Sequence, residues 1–163
     1  MSSLLEQQAT INIGGFSSAV HDDFYRYTMP VVECQAGRRN EIAITNLLEV
    51  AKALRRTPEE ILKYLSSELG CSGSYSSRID QYILKGDYSI PEIQRLVNQF
   101  GEDFVVCKAC RDPGTKHKVS QRKKIVYLKC GACGAVEPVD MDHKVAKYIL
   151  KQDKAARRDR QSR

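Results

Sequence analysis

Residues 107–133 read CKACRDPGTKHKVSQRKKIVYLKCGAC: two Cys-x-x-Cys pairs flanking nineteen residues that carry five lysines, two arginines and a histidine. A Cys-x-x-Cys turn brings two sulfurs onto one ion, and two such turns complete the tetrahedral four-sulfur shell that Zn²⁺ favours. Cys107, Cys110, Cys130 and Cys133 are therefore the expected ligands of one structural Zn²⁺. The expected strands of this ribbon are FVV (104–106) and IVYL (125–128), and Gly131 and Gly134 supply the tight backbone around the second pair. Four protein ligands leave no open position for water, so hydrolytic metal chemistry is not expected. His117 is then read as a surface residue. The loop KHKVSQRKK presents Lys118, Arg122, Lys123 and Lys124, whose charge suits a phosphate backbone. Charge alone leaves RNA, DNA and an acidic protein surface open.

Outward from this stretch the charge is uneven. The 163 residues carry a net charge of +6, but residues 1–106 hold 10 basic and 14 acidic side chains and residues 107–163 hold 16 and 6. The positive end points to a polyanionic partner. No run approaches the roughly 20 apolar residues that span a bilayer, and the start lacks the charged and apolar regions of a signal peptide. A cytoplasmic location is expected, and in a reducing compartment paired thiols hold metal more readily than they form disulfides.

Towards the amino terminus, residues 1–21 are polar, dotted with Gly and Ser, and are read as flexible. FYRYTMPVVECQ is extended, AGRRNE turns, and IAIT is a short strand. In LLEVAKAL the apolar residues Leu47, Leu48, Val50, Ala51 and Leu54 share a helical face, with Thr45 or Asn46 as the cap. Thr57 and Glu60 form a capping box around Pro58, which starts a helix running to Leu69 that buries Ile61, Leu62, Leu65 and Leu69 and stops at Gly70. Residues 72–89 read as two strands around a turn. Ser89 and Glu92 cap a further helix, ended by Gly101. The segment DHKVAKYILK is helical, and beyond about Lys151 it is read as frayed.

The expected fold class is thus α+β: a small mixed α/β domain over 22–104, a four-cysteine zinc ribbon over 105–140, and a basic helical tail over 141–163. No phosphate loop, GxSxG or HExxH motif occurs, so neither an active site of its own nor a small-molecule substrate is expected.

The ordered series DDFYRYTMP (22–30), NLLEVAKAL (46–54), PEEILKYLSSELGCSGS (58–74), YILKG (82–86), FVVCKAC (104–110), LKCGACG (128–134) and MDHKVAKYILK (141–151) resembles the amino-terminal region of eukaryotic translation initiation factor five. It also resembles the carboxy-terminal half of the beta subunit of initiation factor two. The resemblance implies a factor that acts on the small-subunit preinitiation complex and stimulates GTP hydrolysis by initiation factor two at start-codon selection. Arg26 matches the arginine that acts in trans on the partner GTPase, and Lys63 matches a supporting lysine. The implied partners are the GTPase subunit of initiation factor two, initiator tRNA and the rRNA of the small ribosomal subunit. Lys118, Arg122, Lys123, Lys124, Arg157 and Arg158 would meet the RNA. The alternative is a beta-like subunit that binds the GTPase and initiator tRNA without activating hydrolysis. A remoter reading makes the helices over 46–54 and 57–69 a DNA reader.

Overall fold

A computed structural model describes residues 10–13 and 27–162. Two short strands, β1 (Thr10–Asn12) and β2 (Thr28–Pro30), pair antiparallel. Pro30, which has no N–H to donate, lies at the end of this ladder, opposite Thr10. Residues 10–13 correct the expectation of a wholly flexible start. The alternation of Ile11 and Ile13 is too brief to stand out among polar neighbours, yet Ile13 is buried in the core and its N–H donates to the Tyr27 carbonyl at 2.9 Å.

Four further strands, β3 (Cys34–Ala36), β4 (Glu41–Ile44), β5 (Gly73–Ser76) and β6 (Gln81–Lys85), form an antiparallel sheet in the order β3-β4-β6-β5. Side chains alternate across a sheet. The register pairs Ile42 with Leu84 on the face turned to the core, and Ala43 with Ile83 on the other.

Three helices cover the core face: α1 (Leu47–Leu54), α2 (Pro58–Leu69) and α3 (Ile90–Phe104). The capping boxes act as expected, with the hydroxyls of Thr57 and Ser89 accepting from the N–H groups of Glu60 (3.4 Å) and Glu92 (3.3 Å). Gly70 ends α2 at φ 63°, a conformation that favours a residue without a Cβ.

The first helix starts differently. Asn46 makes no side-chain cap; its Oδ1 accepts from Glu33 N–H at 2.9 Å and its Nδ2 donates to the Val31 carbonyl at 2.7 Å. At 4% exposure it pins the β2–β3 connection to α1. Asn46→Ala leaves both backbone groups without partners, and we expect a loss of about 2–3 kcal/mol. Urea unfolding should show a lower midpoint at unchanged slope.

Three corrections concern helix ends. The third helix runs through Gly101 to Phe104, because Phe100 and Phe104, one turn apart and both buried, carry the last turn into the core. FVV is accordingly a helix end and a buried turn, not a strand. Leu69 is only partly buried, and Tyr64 takes the inner position on α2, its ring edge-on to Phe100 and Phe104 and its hydroxyl donating to Asp103 at 2.9 Å.

The ribbon sheet contains β7 (Thr115–Ser120), β8 (Ile125–Cys130) and β9 (Val136–Pro138) in that order, so Lys116 to Ser120 of the anticipated basic loop are strand residues. The carboxy-terminal helix α4 (Lys144–Gln161) is continuous, not frayed after Lys151. Its first half buries Val145, Ala146 and Ile149. Its second half is held by Gln121, whose Nε2 donates to the Leu150 carbonyl (3.0 Å) and to Asp153 (2.8 Å), and by Arg157, which reaches the Val119 carbonyl at 3.3 Å. His143 caps α4, accepting from Val145 N–H at 3.2 Å, stacks on Tyr64 and meets Glu68 at 3.0 Å. Val126, Leu128, Val139 and the α4 residues belong to the same buried cluster as the sheet and the three preceding helices, so one apolar core runs under both parts.

Candidate metal centre and nucleic-acid interface

The four ribbon cysteines converge from two turns. Cys107 and Cys110 follow the end of α3, and Cys130 and Cys133 follow β8; all four sulfurs lie within 4.8 Å of one another. The Cys107–Cys133 and Cys110–Cys130 sulfurs are 3.7 and 3.5 Å apart. Four sulfurs at about 2.3 Å from a tetrahedral Zn²⁺ would stand about 3.8 Å apart, so the two measured separations match that ion and the donor set fits it in number and kind. The backbone supports a thiolate at Cys130, whereas without a cation desolvation and the neighbouring thiols push Cys133 and Cys110 upward. Ala132 and Cys133 aim their N–H groups at the Cys130 sulfur, at 3.3 and 3.5 Å, and these contacts, Cys133 first, bring its thiol down to about 7.

The two turns are tied to each other and to the domain. Gly131 N–H donates to the Gly114 carbonyl at 3.1 Å, and a Cβ on Gly131 would lie 3.2 Å from that oxygen, which accounts for a glycine at this close approach. Cys107 N–H donates to the Asp112 carbonyl at 2.9 Å. Arg111 makes a two-pronged contact with Glu102 on α3, at 2.8 and 2.7 Å.

A polar joint behind β7 was not anticipated from the sequence. Arg56, in the α1–α2 turn, donates to the Thr115 carbonyl (3.0 Å), the Thr115 hydroxyl (2.8 Å) and the Phe104 carbonyl (3.1 Å). Thr115, 1% exposed, donates in turn to the Val105 carbonyl. Burial brings Arg56 down to about 10 and pushes Glu60, one turn away, upward.

His117 joins this cluster, its Nε2 at 3.1 Å from the Phe104 carbonyl, and is partly buried rather than free on the surface. Burial first, and the Arg56 charge second, lower its pKa from 6.5 to about 4. The folded state therefore holds His117 neutral, and the associated stability is complete above pH 6.5 and is lost as pH falls towards 4. We expect acidification from pH 7.5 to 5 to cost the parent protein about 2 kcal/mol more than His117→Gln, read as the difference of two denaturation curves at each pH.

The remaining residues singled out from sequence spread over three places. Lys118 is exposed on β7, and Arg122, Lys123 and Lys124 sit at the exposed β7–β8 turn, Lys124 with φ 54°. Lys63 is exposed on α2. Arg157 and Arg158 are both exposed; Arg157 pairs with Asp153 at 2.7 Å and reaches the Val119 carbonyl of β7, and Arg158 lies one helical step away. Arg26 lies outside the described residues. No helix among the described residues is long and apolar enough to cross a membrane.

Fold and site together define a mixed α/β unit fused through a common core to a ribbon with a four-cysteine metal-binding cluster. The chain belongs to the family described as the domain found in initiation factors 2B and 5, which it matches over residues 17–136. It is 38% identical over 136 residues to eukaryotic translation initiation factor 5 of Caenorhabditis elegans, covering 82% of this chain and 31% of that protein. The mouse factor is 36% identical over 136 residues (82% and 32%), and the Saccharomyces cerevisiae factor 36% over 134 residues (80% and 33%). The chain thus resembles the amino-terminal domain of that factor and spans about a third of the length of the curated relatives it matches.

Proposed function

We propose that this chain is a translation initiation factor that acts on the small-subunit preinitiation complex and stimulates GTP hydrolysis by initiation factor two at start-codon selection, with no active site of its own. The observation that carries this reading is the likeness to eukaryotic translation initiation factor 5 over four-fifths of the chain, in relatives from worm, mouse and yeast. In this reading Arg26 enters the partner's GTP site and Lys63 supports the docking. Residues 22–104 present both, residues 105–140 form the ribbon, and residues 141–163 form the basic helix.

Zn²⁺ held by Cys107, Cys110, Cys130 and Cys133 supplies structural cross-linking and no reaction step. Lys118, Arg122, Lys123, Lys124, Arg157 and Arg158 contribute to contacts with initiator tRNA and rRNA, and the site of action is the cytoplasm. The test is single-turnover GTP hydrolysis by initiation factor two bound to initiator tRNA and the small ribosomal subunit, with and without this protein. Acceleration by an order of magnitude or more is the expected result. An unchanged rate in a complex that demonstrably contains the protein overturns the reading.

A further inference from the structure

The exposed side of α4 carries a row of cations of which the proposed function uses only Arg158. Lys144, Lys147, Lys151, Lys154 and Arg158 follow one another at steps of three and four residues. At 3.6 residues per turn they fall within an arc of about 80° and, at 1.5 Å per residue, extend over about 21 Å. All five are exposed. The buried residues Val145, Ala146 and Ile149 lie on the opposite side of the helix.

Both acids of α4 are off this row. Asp153 is engaged by Arg157 and Gln121, and Asp159 projects to one side. Lys63 of α2 joins the amino-terminal end, where it and Lys144, Lys147, Lys151 and Tyr148 line a shallow depression of about 300 Å³. Among the described residues, none of these cations has an ion-pair partner. Glu59 stands at the edge beyond Tyr148, with its carboxylate occupied by the Tyr82 hydroxyl at 3.3 Å.

We propose that this row, with Lys63 at its head, is a binding surface for the phosphate backbone of RNA. It rests on the initiation-factor reading only for which RNA the cell supplies. A surface for an acidic protein would have an apolar centre and few lysines, whereas nucleic-acid interfaces are polar and strongly positive. Here the row is cationic from end to end. Its only ring is Tyr148, half-buried beside Lys144, Lys147 and Lys151, where a base can stack.

The test is fluorescence anisotropy of a labelled 20-nucleotide unstructured RNA with the full zinc-loaded chain, over a range of salt concentrations and with no GTPase present. Failure of this proposal is therefore separate from failure of GTPase stimulation. The variant Lys147→Gln/Lys151→Gln/Lys154→Gln uses a good helix former and leaves Lys63 and Arg26 in place. It should bind at least tenfold more weakly, with the slope of log K against log salt shallower by about 2, as expected for three lost contacts on a single strand. The three-arginine counterpart should bind like the parent, and Arg158→Gln should cost more than Arg157→Gln. Unchanged RNA affinity in the glutamine variant overturns the proposal. So does retained RNA affinity with lost binding to the isolated GTPase subunit, which would make the row a protein-docking surface.

Discussion

Replacing Arg26 by alanine is expected to abolish most of the stimulated GTP hydrolysis while binding to the preinitiation complex persists. The single-turnover rate should return nearly to that without the protein, a loss that reaches roughly 10³ or more where a trans-acting arginine has its full effect. In phosphoryl transfer the charge develops on the oxygens of the transferring group, and a guanidinium delivered from another protein stabilises that charge only in the transition state. Such an interaction affects the rate and hardly the affinity. The chain from Tyr27 onward can carry the force of insertion: Met29 is 1% exposed, and β2 is laddered to β1 and packed against α1. The described anchor begins at Tyr27, the residue that follows Arg26 in the sequence. Arg26→Lys should recover little, because an ammonium is a point charge without the planar fork that meets two oxygens. Hydrolysis at the parent rate with Arg26→Ala would remove the trans-acting arginine, and the stimulation would then have to come from another group, Lys63 first.

Much of this fold was legible because local and global signals agree. Thr57-Pro58-x-Glu60 and Ser89-x-x-Glu92 announce helix starts through a side chain and a backbone N–H only three residues apart, and α2 and α3 begin where those residues place them. The cysteines were legible for the same reason, since the spacing within each pair is local chemistry. What stayed hidden depends on partners far along the chain. Asn46 looks like a cap, but its amide finds Val31 and Glu33. Arg56 looks like the end of a helix, but its guanidinium finds Phe104 and Thr115. Gly101 looks like a stop, but the burial of Phe100 and Phe104 outweighs roughly 1 kcal/mol of helix cost for the glycine. The lysine row on α4 is different, because its spacing stands in the sequence and emerges only if the helix is allowed to continue past Lys151.

Removing the metal from the cysteine cluster should unfold the tip of the ribbon while the helices α1 to α3 persist. Zinc binding contributes on the order of 10 kcal/mol where a ribbon or finger has little else, and whole domains are stable by only about 5–15 kcal/mol. Here the two ends of the ribbon differ in support. Val126 and Leu128 on β8 and Val139 after β9 are part of the common core, and Arg56 and His117 fasten β7 to Phe104. The cysteine turns have less support: Cys110 and Cys133 are exposed, and apart from the sulfur contacts the turns are joined by the hydrogen bond from Gly131 to Gly114 at the end of the β7–β8 ladder. Without a cation, thiolates under 5 Å apart repel each other, so the turns must either take up protons or separate. The reduced protein treated with a strong chelator, or the variant Cys110→Ser/Cys133→Ser, should therefore lose amide protection over about residues 107–114 and 129–135 and retain it in the buried faces of α2 and α3. Its melting temperature should fall by about 10 °C or more. Freshly purified reduced protein should contain one zinc per chain. Full protection of both cysteine turns in metal-free protein would show that the core and the Arg56 joint suffice, and the ion would then have no structural role.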